Sequence, residues 1–373
     1  MSRILCDLVL LSWNQLEETK ACVQTLFASV HTPCRLLIVD NASEEPVRQY
    51  LKTIHPEGFI QDVQLLQNDT NEGFSRGMNR GLRLSQAAFA CILNNDLRFA
   101  DGWLEEMIAI ALRNPSAGLI NPASNTFGHR PDAGESIESY AARLRANTGT
   151  YSEVGMSIGF CLLIKREVIQ QIGLLTEEVD CCFFEDEDYS MRAQQAGFRC
   201  VVAEGAYVYH TEHASVKKLT FREELFAKNQ RWCNRRWGRR IRVAYPRFTA
   251  LKPGSAELRQ WLTRLLSLVR RRAHVYVYCP MPENADVAGL FDSVGLKPHS
   301  DIHWHTVPRR MAGLVTCGAI AKRQKKPFDL IVSPEPSWAQ WMSGLRWLHR
   351  ASIVSETNEE QLDALWKQKS HCP

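Results

Sequence analysis

The sequence predicts an α/β protein with a mostly parallel central sheet flanked by helices, followed by a smaller α/β domain. Three observations carry this. Over the first ~215 residues, short apolar runs ending on turn residues or acids alternate with stretches of helical periodicity, as strands buried on both faces do. The alternation stops in a basic stretch bearing Pro246 and Pro253-Gly254-Ser255, then restarts near His274. The length, 373 residues of which 45% are hydrophobic and 23% charged, suffices for two cores.

Residues 7–13 are the first apolar run, closed by Asn14, and 16–30 carry a helical pattern. Residues 35–40 are the second run, ending on Asp40, with Asn41, Ala42 and Ser43 as turn and helix cap. The third, 63–67, leads into Asn71-Glu72-Gly73-Phe74-Ser75-Arg76-Gly77. The fourth, 89–93, ends at Asn94, Asn95 and Asp96, and a weaker fifth holds Leu119 and Ile120. In such sheets ligands collect at the carboxyl ends of the strands, where Asn14, Asp40 and Asp96 fall.

Residues 121–151 are polar and weakly patterned, with one helix near 135–145, and read as a substrate-facing excursion. A strand over 157–165, a helix over 186–196 closed by Gly197, a strand over 199–203 and a long basic helix over 220–240 follow. The first domain is thus expected over 1–245, a linker over 246–272 and the second domain over 273–373. Strands at 274–278, 302–307, 329–333 and 352–355 give the latter a sheet of three or four strands.

The net charge of +4 hides a segregation: residues 217–272 hold 17 Lys/Arg against 3 acids, and the rest of the chain is net acidic. Such a block marks a contact surface or a linker. The N-terminus lacks a long apolar stretch, so no signal peptide is expected, and the longest apolar run is far short of the ~20 residues that cross a bilayer. The 12 cysteines contain no C-x-x-C pair. They read as thiols in a reducing cytoplasm rather than as a zinc ribbon.

Three constellations carry chemistry. Asp96 is an acid at the mouth of the sheet, and a hard cation such as Mg²⁺ or Mn²⁺ favours one or two carboxylates plus phosphate oxygens. Glu185-Asp186-Glu187-Asp188 is an acidic run that a helix N-terminus tolerates. Phe183 and Phe184 precede it, and an apolar wall raises a carboxylate's pKa and makes it a better base. Asp188 and Arg192, at i and i+4, fit a supporting ion pair. His210-Thr211-Glu212-His213 follows a strand; such a pair either ligates a metal or is hydrogen-bonded structure.

In order and spacing these segments resemble family 2 glycosyltransferases, in particular the rhamnosyltransferase-like branch with the GT-A fold. The resemblance spans residues ~5–240 and implies a nucleotide-diphospho-sugar transferase. Ser12-Trp13-Asn14 looks like the first-strand nucleotide contact. Val39-Asp40-Asn41-Ala42-Ser43 looks like the V-D-N-x-S segment, whose Asp meets base or ribose. Asn71 to Asn79, with Gly73 between, is similar to the N-x-G-F-x-x-G-x-N segment beneath the nucleotide. Asn94-Asn95-Asp96 stands where the family has D-x-D, with Asn94 replacing the first acid. Glu185-Asp186-Glu187-Asp188 with Arg192 matches E-D-x-D-x-x-x-R, which makes Asp186 the implied catalytic base. His210 matches V-x-H-x-x-G-x-S, and His213 stands where Gly is usual, so either His joins Asp96 as an implied ligand of Mn²⁺ or Mg²⁺.

The resemblance implies inverting transfer from a UDP-, dTDP- or GDP-linked sugar to a glycan or lipid-linked hydroxyl, in polysaccharide biosynthesis. A nucleotide- or glycan-binding pseudoenzyme is the alternative that Asn94 favours. A sugar nucleotidyltransferase would want a Gly-rich, Lys-bearing loop after the first strand, where this chain has Ser12-Trp13-Asn14. The run that opens at Arg231 and closes at Arg242 includes Trp232 and Trp237. It is expected either to meet anionic lipid at the inner membrane face or to be a solvated helix. Nucleic acid is disfavoured, since no RNA- or DNA-binding motif accompanies the charge. The second domain is left with an acceptor, a partner protein or a second subunit as candidate ligands.

Overall fold

The computed structural model describes residues 3–179, 181–211, 222–250, 252–281, 286–323 and 325–371; His213 and Ser215 lie outside them. The chain divides into two units, Met1–Cys233 and Asn234–Pro373.

The first unit is built on β1 (Cys6–Ser12), β2 (Cys34–Asp40), β3 (Ile60–Gln67), β4 (Phe89–Asn94), β5 (Leu97–Phe99), β6 (Ala117–Ala123), β7 (Tyr151–Glu153), β8 (Cys161–Lys165) and β9 (Arg199–His210). The order is β3-β2-β1-β4-β8-β6-β9-β5, with β7 also on β9. β1 to β4 pair in parallel, β8 enters antiparallel, and β6 and β9 are again parallel. The expected mostly parallel sheet is therefore present. β1 is buried along its whole length, which is why its sequence is nearly continuously apolar.

The flanking helices are α1 (Leu16–Ser29), α2 (Glu45–Lys52), α3 (Gly73–Leu84), α4 (Trp103–Arg113), α5 (Ile137–Leu144), α6 (Arg166–Ile172), α7 (Glu185–Gln195) and α8 (Arg222–Trp237). α3 approaches β1 closely. A Cβ on Gly81 would stand 2.4 Å from Val9 Cγ1, and one on Gly77 2.6 Å from Leu11 Cδ1. These glycines fix how near the helix and its N-terminal loop come to the carboxyl end of β1.

The second unit has β10 (Ile241–Pro246), β11 (Ala273–Cys279), β12 (Ile302–Thr306), β13 (Leu330–Ser333) and β14 (Ser352–Ser355). They are all parallel in the order β12-β11-β10-β13-β14, a doubly wound pattern with its switch between β10 and β13. Its helices are α9 (Ala256–Val269), α10 (Val287–Asp292), α11 (Ala312–Ala321), α12 (Pro336–Gly344), α13 (Arg346–His349) and α14 (Glu359–Ser370).

This differs from the sequence expectation in three places. The basic helix ends at Trp237, where Gly238 takes φ 75°. β10 follows and is the central strand of the second sheet; its alternation of Ile241, Val243 and Tyr245 is masked by the arginines around it. The expected linker contains α9, whose Leu258, Trp261, Leu262, Leu265 and Leu266 are core residues. The arginine run is accordingly not one surface. Trp232 donates to Glu178 Oε2 at 3.0 Å, Arg239 grips Asp329 through both oxygens, and Arg240 lies 4.0 Å from Asp301.

Candidate active site

The carboxyl ends of β1, β2 and β4 meet in a web of short polar side chains. The turn after β1 is left-handed at Asn14 and Gln15, φ 57° each. Asn14 N–H donates to Ser43 Oγ (2.9 Å), its Oδ1 accepts from Glu44 N–H (2.8 Å), and its carbonyl accepts from Asn95 Nδ2 (3.2 Å). Asp40 is fully buried, accepting from Ser43 N–H at 2.9 Å and from Gln67 at 3.4 Å. Asn41 accepts from Asn68 Nδ2 and Glu72 N–H, and donates to Asn71 Oδ1 and the Gly73 carbonyl.

These residues, expected to touch the donor, thus hold the β1, β2 and α3 loops to one another. Asn79 likewise uses its amide on Leu175 and Glu177. Ser12 differs: its hydroxyl is buried at the strand end without a hydrogen-bond partner.

Beside them lies Asp96. Its Oδ1 is also buried without a hydrogen-bond partner, and 3.2 Å away is Nε2 of His210. Strand pairing makes this contact, since Leu97 on β5 is the register partner of His210 on β9. Two residues that sequence reasoning missed fix the imidazole. Asn125 brackets its backbone with both amide atoms (2.8 and 2.7 Å), and Thr126 Oγ1 lies 3.1 Å from Nδ1. Phe160 stacks on the ring at 5.1 Å. Asn125 and Thr126 belong to the polar excursion, whose Ser124 cap was the available signal.

In the tautomer whose Nδ1–H donates to Thr126, Nε2 would turn a lone pair toward the Asp96 carboxylate. Two bases facing each other in a buried place fit a divalent cation. No group of three His, Cys, Asp or Glu able to hold a metal occurs among the described residues, and Mg²⁺-like ions characteristically complete their shell with phosphate and water. Of the three expected ligands, Asp96 and His210 come together and His213 is outside the described residues.

Phe160 links this pair to the acidic run. The N–H of its neighbour Gly159 points at Asp186 Oδ2 (3.4 Å), and Glu187 N–H donates to Asp186 Oδ1 at 2.8 Å. The loop before α7 is left-handed at Cys181, Phe183 and Phe184 (φ 55°, 75° and 73°), roughly 1–3 kcal/mol of strain each. It is held by Phe74 N–H on the Cys181 carbonyl (2.7 Å), by Asn229 on the Cys182 carbonyl (2.8 Å) and by Phe226 against both phenylalanines. Gly73 has φ 80°, and a Cβ there would lie 3.0 Å from Cys181 Cα, so the G-F step of α3 seats this loop.

Burial pushes the Asp186 carboxyl up to about 6, against the backbone N–H groups of Glu187 and Gly159 that lower it. Burial, then the neighbouring Asp186 charge, raises Glu185 well above the carboxylate range, and its Oε2 has no hydrogen-bond partner. Asp188 and Arg192 form the expected ion pair at 2.8 Å; Arg192 also donates to the carbonyls of Ile172 and Leu174. Through these bonds Arg192 ties α7 to the end of α6 and the residues after it.

Residues 7–173 match the family model described as glycosyl transferase family 2. Among curated relatives, an uncharacterized glycosyltransferase of Haemophilus influenzae is 24% identical, over 57% of this chain and 71% of its own. The N-acetylglucosaminyl-diphospho-decaprenol L-rhamnosyltransferase of Mycobacterium tuberculosis is 24% identical, over 50% and 69%. An uncharacterized Sinorhizobium fredii protein is 26% identical over 61% of this chain, which spans only 27% of that relative's length. Among solved structures, the Pyrobaculum calidifontis mannosyltransferase with GDP-Man and Mn²⁺ aligns over 92% of this chain and 80% of its own, at 12% identity and TM-score 0.44. The likeness to glycosyl transferase family 2 thus covers residues 7–173, somewhat less than half of the chain.

Proposed function

We propose that the first unit is an inverting glycosyltransferase that moves a sugar from a nucleoside-diphosphate donor to a hydroxyl of a glycan or lipid-linked acceptor. The observation that carries this reading is the unpartnered Asp96 oxygen facing His210 and joined through Gly159-Phe160 to Asp186, a base and a cation site at one end of one sheet. The family match and the name of the Mycobacterium relative, which acts on a lipid-diphosphate-linked sugar, support it.

Asp96 and His210 would hold Mn²⁺ or Mg²⁺; when bound, such an ion neutralises charge on the leaving diphosphate. Ser12 and the β1 turn line the place of the nucleotide, and the Asn14–Asn41–Asn71–Asn95 web keeps that place rigid. Asp186 takes the proton of the acceptor hydroxyl as its oxygen bonds to the anomeric carbon. The bond from that carbon to the diphosphate oxygen breaks, and the nucleoside diphosphate leaves with the electron pair. One displacement inverts the anomeric centre. A carboxyl near 6 is ionised at neutral pH and more basic than an ordinary aspartate, as this step needs.

The test is release of nucleoside diphosphate from a panel of UDP-, dTDP- and GDP-sugars by the wild type and by Asp186→Asn. Loss of turnover with donor binding retained is expected. Parallel loss of binding and turnover would remove the base assignment.

A further inference from the structure

The two faces of the second sheet are built from different residues. One packs Val243, Tyr245, Val275 and Val277 against α9, and the other packs Ala244, Tyr278 and Ile331 with residues of α11 and α12. On this second face, strand register aligns Ala244 with Tyr276 and His303, and Pro246 with Tyr278 and His305. The rings stack across the strands, Tyr276 on His303 at 4.6 Å and Tyr278 on His305 at 4.9 Å.

Two guanidinium groups lie on this lattice. Arg242 from β10 is 4.8 Å from the Tyr276 ring centre, and Arg323, just beyond α11, is 4.4 Å from the same ring. Both also reach Phe328, at 5.7 and 5.6 Å. Like charges converging on one ring repel, and the nearby acids are engaged elsewhere. Asp329 binds the Arg239 guanidinium and the Arg242 backbone N–H, and Asp301 meets His274 and Arg240.

Nε and Nη2 of Arg242 are buried without a hydrogen-bond partner, and the Tyr278 hydroxyl faces Arg323. Tyr278 is only 2% exposed, and a buried donor left unsatisfied, as on Arg242, destabilises the fold. Arg323 Nη2 lies 3.3 Å from His305 Nε2.

We propose that this face of the second unit is a binding site for a phosphate group, whose oxygens accept from Arg242, Arg323 and Tyr278. The guanidinium fork matches the paired oxygens of phosphate, and the two charges that now oppose each other would share one counter-ion. The histidines agree with this. Burial and then His274 hold His303 below its ordinary range, and burial and then Arg323 do so for His305; an anion among the arginines acts in the opposite direction.

The experiment uses the full chain in EDTA, so that a metal-dependent donor site in the first unit stays silent. Inorganic phosphate is titrated calorimetrically against chloride at matched ionic strength, into wild type, Arg242→Gln and Arg323→Gln. Saturable binding to wild type, weakened at least tenfold in the variants, is expected. Arg323 lies at the edge of the cluster, so its variant carries the test should Arg242→Gln not fold. A short-chain prenyl phosphate in a second arm separates the sources. Tighter binding than phosphate assigns the site to a lipid-linked ligand, and equal binding assigns it to the phosphate alone. Absence of saturable binding, or binding unchanged in both variants, overturns the proposal.

Discussion

The two ends of the first sheet handle buried carboxylates in opposite ways. At the amino end, Asp7 on β1 has both carboxylate oxygens hydrogen-bonded: Oδ1 by Arg35 Nε at 2.9 Å, and Oδ2 by Ser85 Oγ at 2.9 Å and the N–H groups of Gln86 and Ala87 at 2.6 and 2.8 Å. Burial alone would raise its pKa, but the bonds from Arg35, Ala87 and Gln86 outweigh it and hold the carboxyl below its ordinary value. At the carboxyl end, Asp96 Oδ1, Glu185 Oε2 and the Ser12 hydroxyl are buried with no hydrogen-bond partner, and Asp186 is pushed up to about 6. One end is finished by the protein. The other leaves buried polar atoms without a hydrogen-bond partner, which the proposed donor and cation site would use.

Substitutions at the two ends should separate stability from activity. The largest effect is expected from Asp186→Asn, with turnover falling at least ~100-fold, the lower end of a general base's contribution. The same change removes a charge the fold disfavours, so the melting temperature should rise. In the wild type, kcat should climb as pH rises through about 6, where Asp186 gives up its proton. A flat profile between pH 5 and 7 would break the comparison at its functional end.

Asp7→Asn should do the reverse. Breaking a buried, paired carboxylate costs about 3–5 kcal/mol, read as a lower denaturant midpoint, while nucleotide affinity stays unchanged. The sign with pH is also opposite. A depressed carboxyl contributes stability above its unfolded pKa of ~3.9 and loses it as pH falls through the lower folded value. Acid sensitivity should therefore weaken in Asp7→Asn.

Gly81→Ala is smaller, about 1–3 kcal/mol of overpacking against Val9, measured by the same denaturation. Glu185→Gln is the smallest. A carboxyl whose charged form is disfavoured by burial and by Asp186, and which lacks a partner for Oε2, should be replaced with less than about 1 kcal/mol lost, within the range of ordinary substitutions.

How far the sequence revealed this depends on what each signal encodes. The parallel sheet was legible because strands buried on both faces are nearly continuous apolar runs, as β1, β2 and β4 are between their polar ends. Asp96, His210 and Asp186 were legible as chemistry-bearing types at strand ends and a helix start. Their meeting was not, because Leu97–His210 pairing joins residues over a hundred positions apart and no local pattern announces it. The bonds that the expected donor-binding residues make within the protein were hidden for a related reason. Asp40, Asn41 and Asn79 are polar residues in the right segments, yet their partners are backbone and side chains of the protein itself. β10 was missed because arginines on alternate and flanking positions hid a period of two. The boundary followed it, moving from the Pro/Gly stretch to Cys233–Asn234.

The most direct test of the central claim is thermal stabilisation of wild type and Asp96→Asn by UDP, dTDP and GDP, each with and without Mn²⁺. Ligand binding to the native state raises the midpoint by mass action. One diphosphate should raise the wild-type midpoint only when Mn²⁺ is present, and Asp96→Asn should lose the shift. No shift with any diphosphate, or a shift that survives unchanged in Asp96→Asn, would contradict that claim.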